Sequence, residues 1–272
     1  MFRHRALAAC IRWLSAILVL LSGSALAIES ELRFQGMAYS IETQELLYTE
    51  RYEVSFDRHG KYVKSTVEYL NPDGEMFAIK MMDYQRSQSA PDVFFRDLRS
   101  HTAVKIEAFP TEVSIIYLDR LLGLPANTVQ NTVQFDTKHV EKEHREGKKS
   151  IISLNTDAPL VVDAGFDRFV QHNWSSLAKG KTLSFSFLVI SRAKLFDFEI
   201  ARTNVQDNSR SLEFEVKPGN FFFSMLVDPI RLVYDLETRR LLRFEGLTNI
   251  ERFVDKAPQG DNFVARIQYD YF

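Results

Sequence analysis

The sequence predicts a mainly β (α+β) chain: one large antiparallel, strongly curved sheet or open half-barrel, covered by one or two helices. Three observations predict it. Apolar and polar residues alternate along most long segments, and a side-chain period of two is that of a strand with one buried face. Each such segment has one wet face, whereas strands of parallel sheets are apolar on both. Only one long segment changes to helical spacing.

The elements follow in chain order. In Leu46-Tyr48-Glu50-Tyr52-Val54-Phe56 every second residue is apolar except Glu50, with Thr49, Arg51, Glu53 and Ser55 on the other face. Asp57-Arg58-His59-Gly60 turns the chain into a returning strand from Lys61 to Leu70. Asn71-Pro72-Asp73-Gly74 turns it again, because Pro presets φ and Gly accepts a positive φ; Glu75 to Tyr84 is the third strand of a meander. Leu118 to Leu122, stopped by Gly123 and Pro125, is a weak helical candidate. The segment near 136–150 mixes charges of both signs and reads as a solvated, mobile loop or short exposed helix. From Ala164 to Leu177, Phe166, Phe169, Val170, Trp174 and Leu177 recur at helical spacing, with Asp163 as the expected cap and Gly180 as the stop. Alternation then resumes at Leu183–Val189, Phe196–Ile200, Leu212–Val216, Ile230–Leu236 and Phe263–Tyr271. In the last of these the apolar set is Phe263, Ala265, Ile267, Tyr269 and Tyr271. Phe272 is in phase with Arg266, Gln268 and Asp270 instead, contrary to the pattern of an outer-membrane barrel.

The N-terminus reads as a secretory signal. Arg3, Arg5 and Arg12 precede an apolar run from Trp13 to Leu21, and Ala25-Leu26-Ala27 supplies a small–x–small cleavage pattern. The organisation expected is therefore a signal peptide at 1–27, cleaved after Ala27, and a single β-rich domain at 28–272. Cys10 leaves with the signal, so the exported chain has no cysteine and relies on its core alone. It also loses three arginines, which leaves 31 basic against 36 acidic residues and a net charge of −5. That balance argues against nucleic acid as a partner, since phosphate binding requires a clustered cationic excess. The exported chain contains no run of the roughly 20 apolar residues that a membrane-spanning helix needs. The compartment expected is the periplasm.

Catalytic templates fail. The exported chain has no Gly-x-Ser-x-Gly, phosphate-binding glycine loop or His-Glu-x-x-His. His139 and His144 are five residues apart, off a common helix face and among opposite charges. No catalytic residue, metal ligand or cofactor is expected, and the chain reads as a non-enzyme. The informative residues are charges on apolar faces. Glu50 falls on the apolar face of its strand, and Lys80 is in register with Met76, Ala78, Met82 and Tyr84. An unpaired charge there would be costly. A Glu50–Lys80 pair across the sheet, or a link to Arg96 or Arg99, would satisfy both; a polar anchor in a ligand groove is the functional alternative. Asp163 and Asp167 are explained by capping and the helix dipole. Asn173-Trp174-Ser175 matches a glycosylation sequon but is discounted, because Trp174 is on the apolar helix face. Phe221-Phe222-Phe223 breaks the alternation and reads as a buried crossing strand or an exposed apolar lip. Glu50, Lys80, Trp174, Phe221, Phe222 and Phe223 are thus the candidate ligand-binding residues.

Two resemblances rest on these residues. Leu46-Leu47-Tyr48-x-Glu50, Asp73-Gly74-x-x-x-Ala78-x-Lys80, Pro91-Asp92 and Val162-Asp163-Ala164-Gly165-Phe166-Asp167 resemble a group of uncharacterised secreted bacterial β-rich proteins, which implies no activity. More loosely, a signal followed by an aromatic-rich meander resembles the periplasmic lipoprotein carrier (LolA/LolB-like) superfamily. That resemblance implies a half-barrel with an apolar cavity for acyl chains. The function expected is a soluble periplasmic carrier for a hydrophobic, acyl or lipid-like ligand. The alternative is an envelope structural or assembly factor acting through protein contacts.

Overall fold

The computed structural model describes residues 31–119, 145–155, 157–203, 210–219, 228–255 and 257–272. Among the described residues, fifteen strands form one sheet. The first eight are β1 (Glu31–Ser40), β2 (Leu46–Phe56), β3 (Tyr62–Leu70), β4 (Met76–Asp83), β5 (Asp92–Asp97), β6 (Thr102–Ala108), β7 (Glu112–Asp119) and β8 (Arg145–Ser153). The short β9 (Leu160–Val161) and helices α1 (Gly165–His172) and α2 (Trp174–Ala178) follow. The last strands are β10 (Leu183–Val189), β11 (Lys194–Arg202), β12 (Ser211–Pro218), β13 (Ile230–Asp235), β14 (Leu241–Val254) and β15 (Ala257–Tyr271).

Spatial order is β8-β7-β6-β5-β4-β3-β2-β1-β15-β14-β13-β12-β11-β10-β9. Two meanders, one from each half of the chain, are therefore joined side by side through β1 and β15. Every pairing is antiparallel except β9 with β10, so the expected mainly β architecture is the one observed, with one parallel step at an edge. The sheet is open but curls, and its two arms meet. The Tyr117 hydroxyl on β7 donates to the Ile190 carbonyl after β10 at 2.5 Å. Val162 N–H donates to the Ser89 carbonyl, and Ser89 Oγ donates to the Leu160 carbonyl, both at 3.0 Å.

The inner face follows from the register. Gly36 lies between Glu50 and Tyr269, and the same row continues through Tyr69 and Ala78 to Asp97. The neighbouring row runs from Tyr52 through Val67 and Lys80 to Phe95 and Val104. One core joins Val113 and Ile115 of one arm to Val162 and Leu188 of the other. A second places Phe169, Val170, Trp174 and Leu177 of the helices on Phe185, Phe214, Leu232 and Tyr234. The outer face of β12–β15 carries a row of alternating charge, Glu215, Arg231, Glu245 and Arg266, in direct register. There Glu245 binds both Arg231, at 3.4 Å, and Arg266, at 3.0 Å. Arg266 therefore faces outward and Ile267 inward, as the alternation of the last strand predicts; Phe272 is 76% exposed.

Three local expectations are corrected. The helix from Ala164 to Leu177 is two short helices divided at Asn173, whose side chain donates to the Phe169 carbonyl at 2.9 Å. Leu118 belongs to β7, not to a helix; the rest of that candidate lies outside the described residues. Arg145 to Lys149, expected in a loop or short exposed helix, open strand β8, where Lys148 and Lys149 are exposed.

Trp174 meets the rings of Phe214 and Tyr234 edge-on at 5.8 and 5.9 Å. Truncating a buried aromatic typically costs about 3–5 kcal/mol. Trp174→Ala is expected to lower stability by that amount in urea unfolding, and a midpoint unchanged within error would show that this packing does not hold the helices on the sheet.

Candidate functional site

The inner face carries charge at its centre. Lys80 of β4 is 6% exposed and Glu50 of β2 is 5% exposed. Strand β3 separates them, and they do not pair, which corrects the first expectation for both. Lys80 Nζ binds Asp163 Oδ1 at 2.8 Å and lies over the rings of Tyr69 and Phe95. Burial alone would lower the ammonium, but the Asp163 charge, with the Tyr69 phenol, overrides it and holds Lys80 above the usual lysine range.

Asp163 is not the helix cap. The cap is Ala164, with no side-chain cap bond, and Asp163 stands one residue earlier at φ 47°. Asp tolerates this left-handed region better than most residues. The turn aims its carboxylate into the curl, where it accepts from Lys80, Ala164 N–H at 2.7 Å and Asn249 Nδ2 at 3.3 Å. Gly165 lets this turn close, since a Cβ there would collide with the Ser89 carbonyl and Pro91 Cδ. The Val162–Asp167 segment is thus a clamp between the two arms.

Glu50 instead accepts from two phenols. Tyr52 donates at 2.8 Å and Tyr269 at 3.4 Å, both to Oε2. Burial raises the carboxyl to about 7, against the opposing effects of the Tyr52 bond, the Lys80 charge and the Tyr269 bond. Gly36 makes the arrangement possible: a Cβ there would stand 2.8 Å from Tyr269 Cε1 and 3.1 Å from Glu50 Oε2.

Above Glu50 the inner face forms an aromatic shelf. Phe34 stacks on Tyr52 at 4.3 Å and on Tyr271 at 4.7 Å, and Tyr269 meets both Phe34 and Tyr52 edge-on at 6.1 Å. All four are only partly buried, unlike Tyr48 and Tyr69 further along the same face, which are fully buried. The shelf leads toward the end of the half-barrel where α1 sits. There Tyr271 comes under the influence of Asp167, Tyr62 and Arg240, and Arg240 stacks on the Tyr271 ring at 5.0 Å.

At that end a cleft of about 380 Å³ opens between the β2–β3 turn, α1 and the β13–β14 turn, lined by Gly60, Lys61, Gln88, Arg168, Gln171, His172, Thr238 and Arg239. Gln88 pins one wall by donating to the carbonyls of Tyr62 and Tyr84 at 2.8 and 3.1 Å. Asp167 lies beneath the cleft, accepting from Gln171 Nε2 at 2.8 Å. Burial raises its carboxyl to about 6, although Arg168, Tyr234 and Gln171 act the other way.

Of the six candidate residues, Glu50 and Lys80 share the inner face in adjacent rows, and Trp174 belongs to the core beneath the helices. Phe221, Phe222 and Phe223 lie outside the described residues, as do His139 and His144. Sequence reading missed the shelf residue Phe34, because Gly36 interrupts the alternation of β1. It also missed the cleft, whose residues come from three separate turns and a helix face. Among the described residues no cluster of three or more His, Cys, Asp or Glu could hold a metal ion, and no helix is long and apolar enough to cross a membrane.

No family model and no curated protein matches the chain. Among solved structures it is similar to the crystal structure of a beta-barrel-like protein of the domain of unknown function DUF1849 from Brucella abortus. That similarity covers 89% of this chain and 97% of the other, at 7% sequence identity and a TM-score of 0.36.

Proposed function

We propose that this chain is an exported, non-enzymatic binding protein of the periplasm that carries a hydrophobic, lipid-like ligand on the inner face of its open sheet. The observation that supports this is the shelf of Phe34, Tyr52, Tyr269 and Tyr271: four large rings in contact, on the concave side, and not fully covered. A core that needed only to be filled would bury such rings, because covering aromatic surface is among the largest gains in folding. Rings left partly open on a concave face provide apolar area for a ligand, and Glu50 at their base supplies one polar group to orient it. Burial of Glu50, with no cation in contact, raises its carboxyl to about 7 against its two phenol donors, so that a neutral form compatible with an apolar guest is populated there.

The neutral fluorophore N-phenyl-1-naphthylamine tests this reading. Saturable binding at one site per chain is expected, weakened about tenfold by Phe34→Ser, since removing a ring contact of this size costs on the order of 1.4 kcal/mol or more. Fluorescence that rises linearly without saturation, or that Phe34→Ser leaves unchanged, would count against a ligand on this shelf.

A further inference from the structure

The cleft at the α1 end differs in chemistry from the shelf that leads to it. Lys61, Arg168 and Arg239 project into it from three different elements, with His172 beside them. The remaining polar side chains of its wall are Gln88, Gln171 and Thr238, all uncharged. Among the described residues, none of the three permanent cations has a carboxylate within ion-pair distance. Arg168 stacks on Tyr62 at 4.2 Å and donates to Gln171 Oε1 at 2.6 Å. Arg239 lies 5.8 Å from the Trp174 ring. The nearby carboxylate, Asp167, is half-buried and outside the lining, where it accepts from Gln171 Nε2.

The turn that presents Arg239 is closed by hydrogen bonds to Asp235. Asp235 Oδ1 accepts from the backbone N–H groups of Glu237 and Thr238 and from the Thr238 hydroxyl. Arg239 itself is held at φ 58°, a conformation that favours glycine. The turns at Gly60 and Gly74 use glycine in that conformation, whereas Gln44, His101, Ala193 and Asp255 hold it with a β-carbon as Arg239 does.

We propose that this cleft is a binding site for a phosphate-type oxyanion, held by Lys61, Arg168 and Arg239. Guanidinium groups match the planar edges of such an anion and bind it through paired N–H donors, while Lys61 adds a point charge. Gln171 Nε2, which keeps one N–H after donating to Asp167, adds an uncharged donor, and no carboxylate lines the wall to repel the anion. The oxyanion is either free or the head of a ligand whose apolar part reaches the shelf through Tyr271; the second case rests on the function proposed above.

The test uses the full chain, titrated calorimetrically at pH 7 with inorganic phosphate, dodecyl phosphate and dodecanol, the amphiphiles below their aggregation concentrations. The variant is Lys61→Gln combined with Arg239→Gly. Both residues are exposed, and glycine relieves the φ at 239, so the fold is expected to be at least as stable, which thermal unfolding checks. Phosphate or dodecyl phosphate is expected to bind the parent and to lose about tenfold in affinity in the variant, with weakening by salt. Binding of inorganic phosphate as tight as that of dodecyl phosphate identifies a free anion, and preference for dodecyl phosphate identifies an amphiphile head. Equal binding of dodecanol and dodecyl phosphate, unchanged in the variant, would overturn the anion site and leave the carrier reading standing. Phosphate binding that the variant loses, with no binding of dodecanol and no gain from the dodecyl chain, would support the anion site and count against the carrier. Failure of all three to bind would overturn both.

Discussion

Replacing Lys80 by methionine is expected to destabilise the protein by about 3–5 kcal/mol, the usual cost of leaving a buried charge without its partner. Methionine fills the same volume, so the loss is electrostatic. Asp163, with its side chain 4% exposed, would keep only Ala164 N–H and Asn249 as donors. Asp163→Asn is expected to cost a similar amount by stranding Lys80, while asparagine still accepts the positive φ. The double variant should recover most of either loss, because the buried charge is gone. Urea unfolding of all four proteins forms a double-mutant cycle. Additive losses, or a Lys80→Met variant as stable as the parent, would show that the 2.8 Å contact does not hold the two arms of the sheet together.

Stability is expected to fall as pH rises from about 5 to about 8. Glu50 and Asp167 are both raised by burial, from 4.5 to about 7 and from 3.8 to about 6. A carboxyl raised in the folded state binds its proton more tightly there than in the unfolded chain. Its contribution is therefore complete below the unfolded value and is lost as pH climbs through the folded one. Shifts of this size correspond to about 3 kcal/mol for each group. Glu50→Gln should remove its share of the slope and leave the variant more stable than the parent at pH 8, since the amide oxygen still accepts from Tyr52 and Tyr269. Thermal unfolding across this range is the measurement. A variant whose stability runs parallel to that of the parent at every pH would mean that Glu50 is ionised throughout.

How legible each part was follows from which faces are buried. Strands β2, β3 and β10–β13 have one wet and one dry face, and their alternation marks them. Strands β5–β7 are less plain, because Phe94, Ala103 and Leu118 on the outer face are buried together with Val93, Ile106 and Ile115 on the inner one. With both faces covered, the period of two disappears. Strand β14 is obscured by Gly246 and by register shifts between Leu247 and Phe253.

The class of fold, the face each alternating strand buries, the inward set Phe263, Ile267 and Tyr269, and the burial of Glu50 and Lys80 were legible in the residues alone, because these follow from side-chain period and local turn chemistry. The partners came from the folded arrangement. Whether Lys80 meets Glu50, two strands away on the same face, or Asp163, 83 positions along the chain, depends on how far the sheet curls. That curvature is a sum of small twists over fifteen strands and is invisible in any local window. The same holds for the cleft: Lys61, Arg168 and Arg239 become neighbours only because one end of the curled sheet brings a hairpin turn from each arm against the helix.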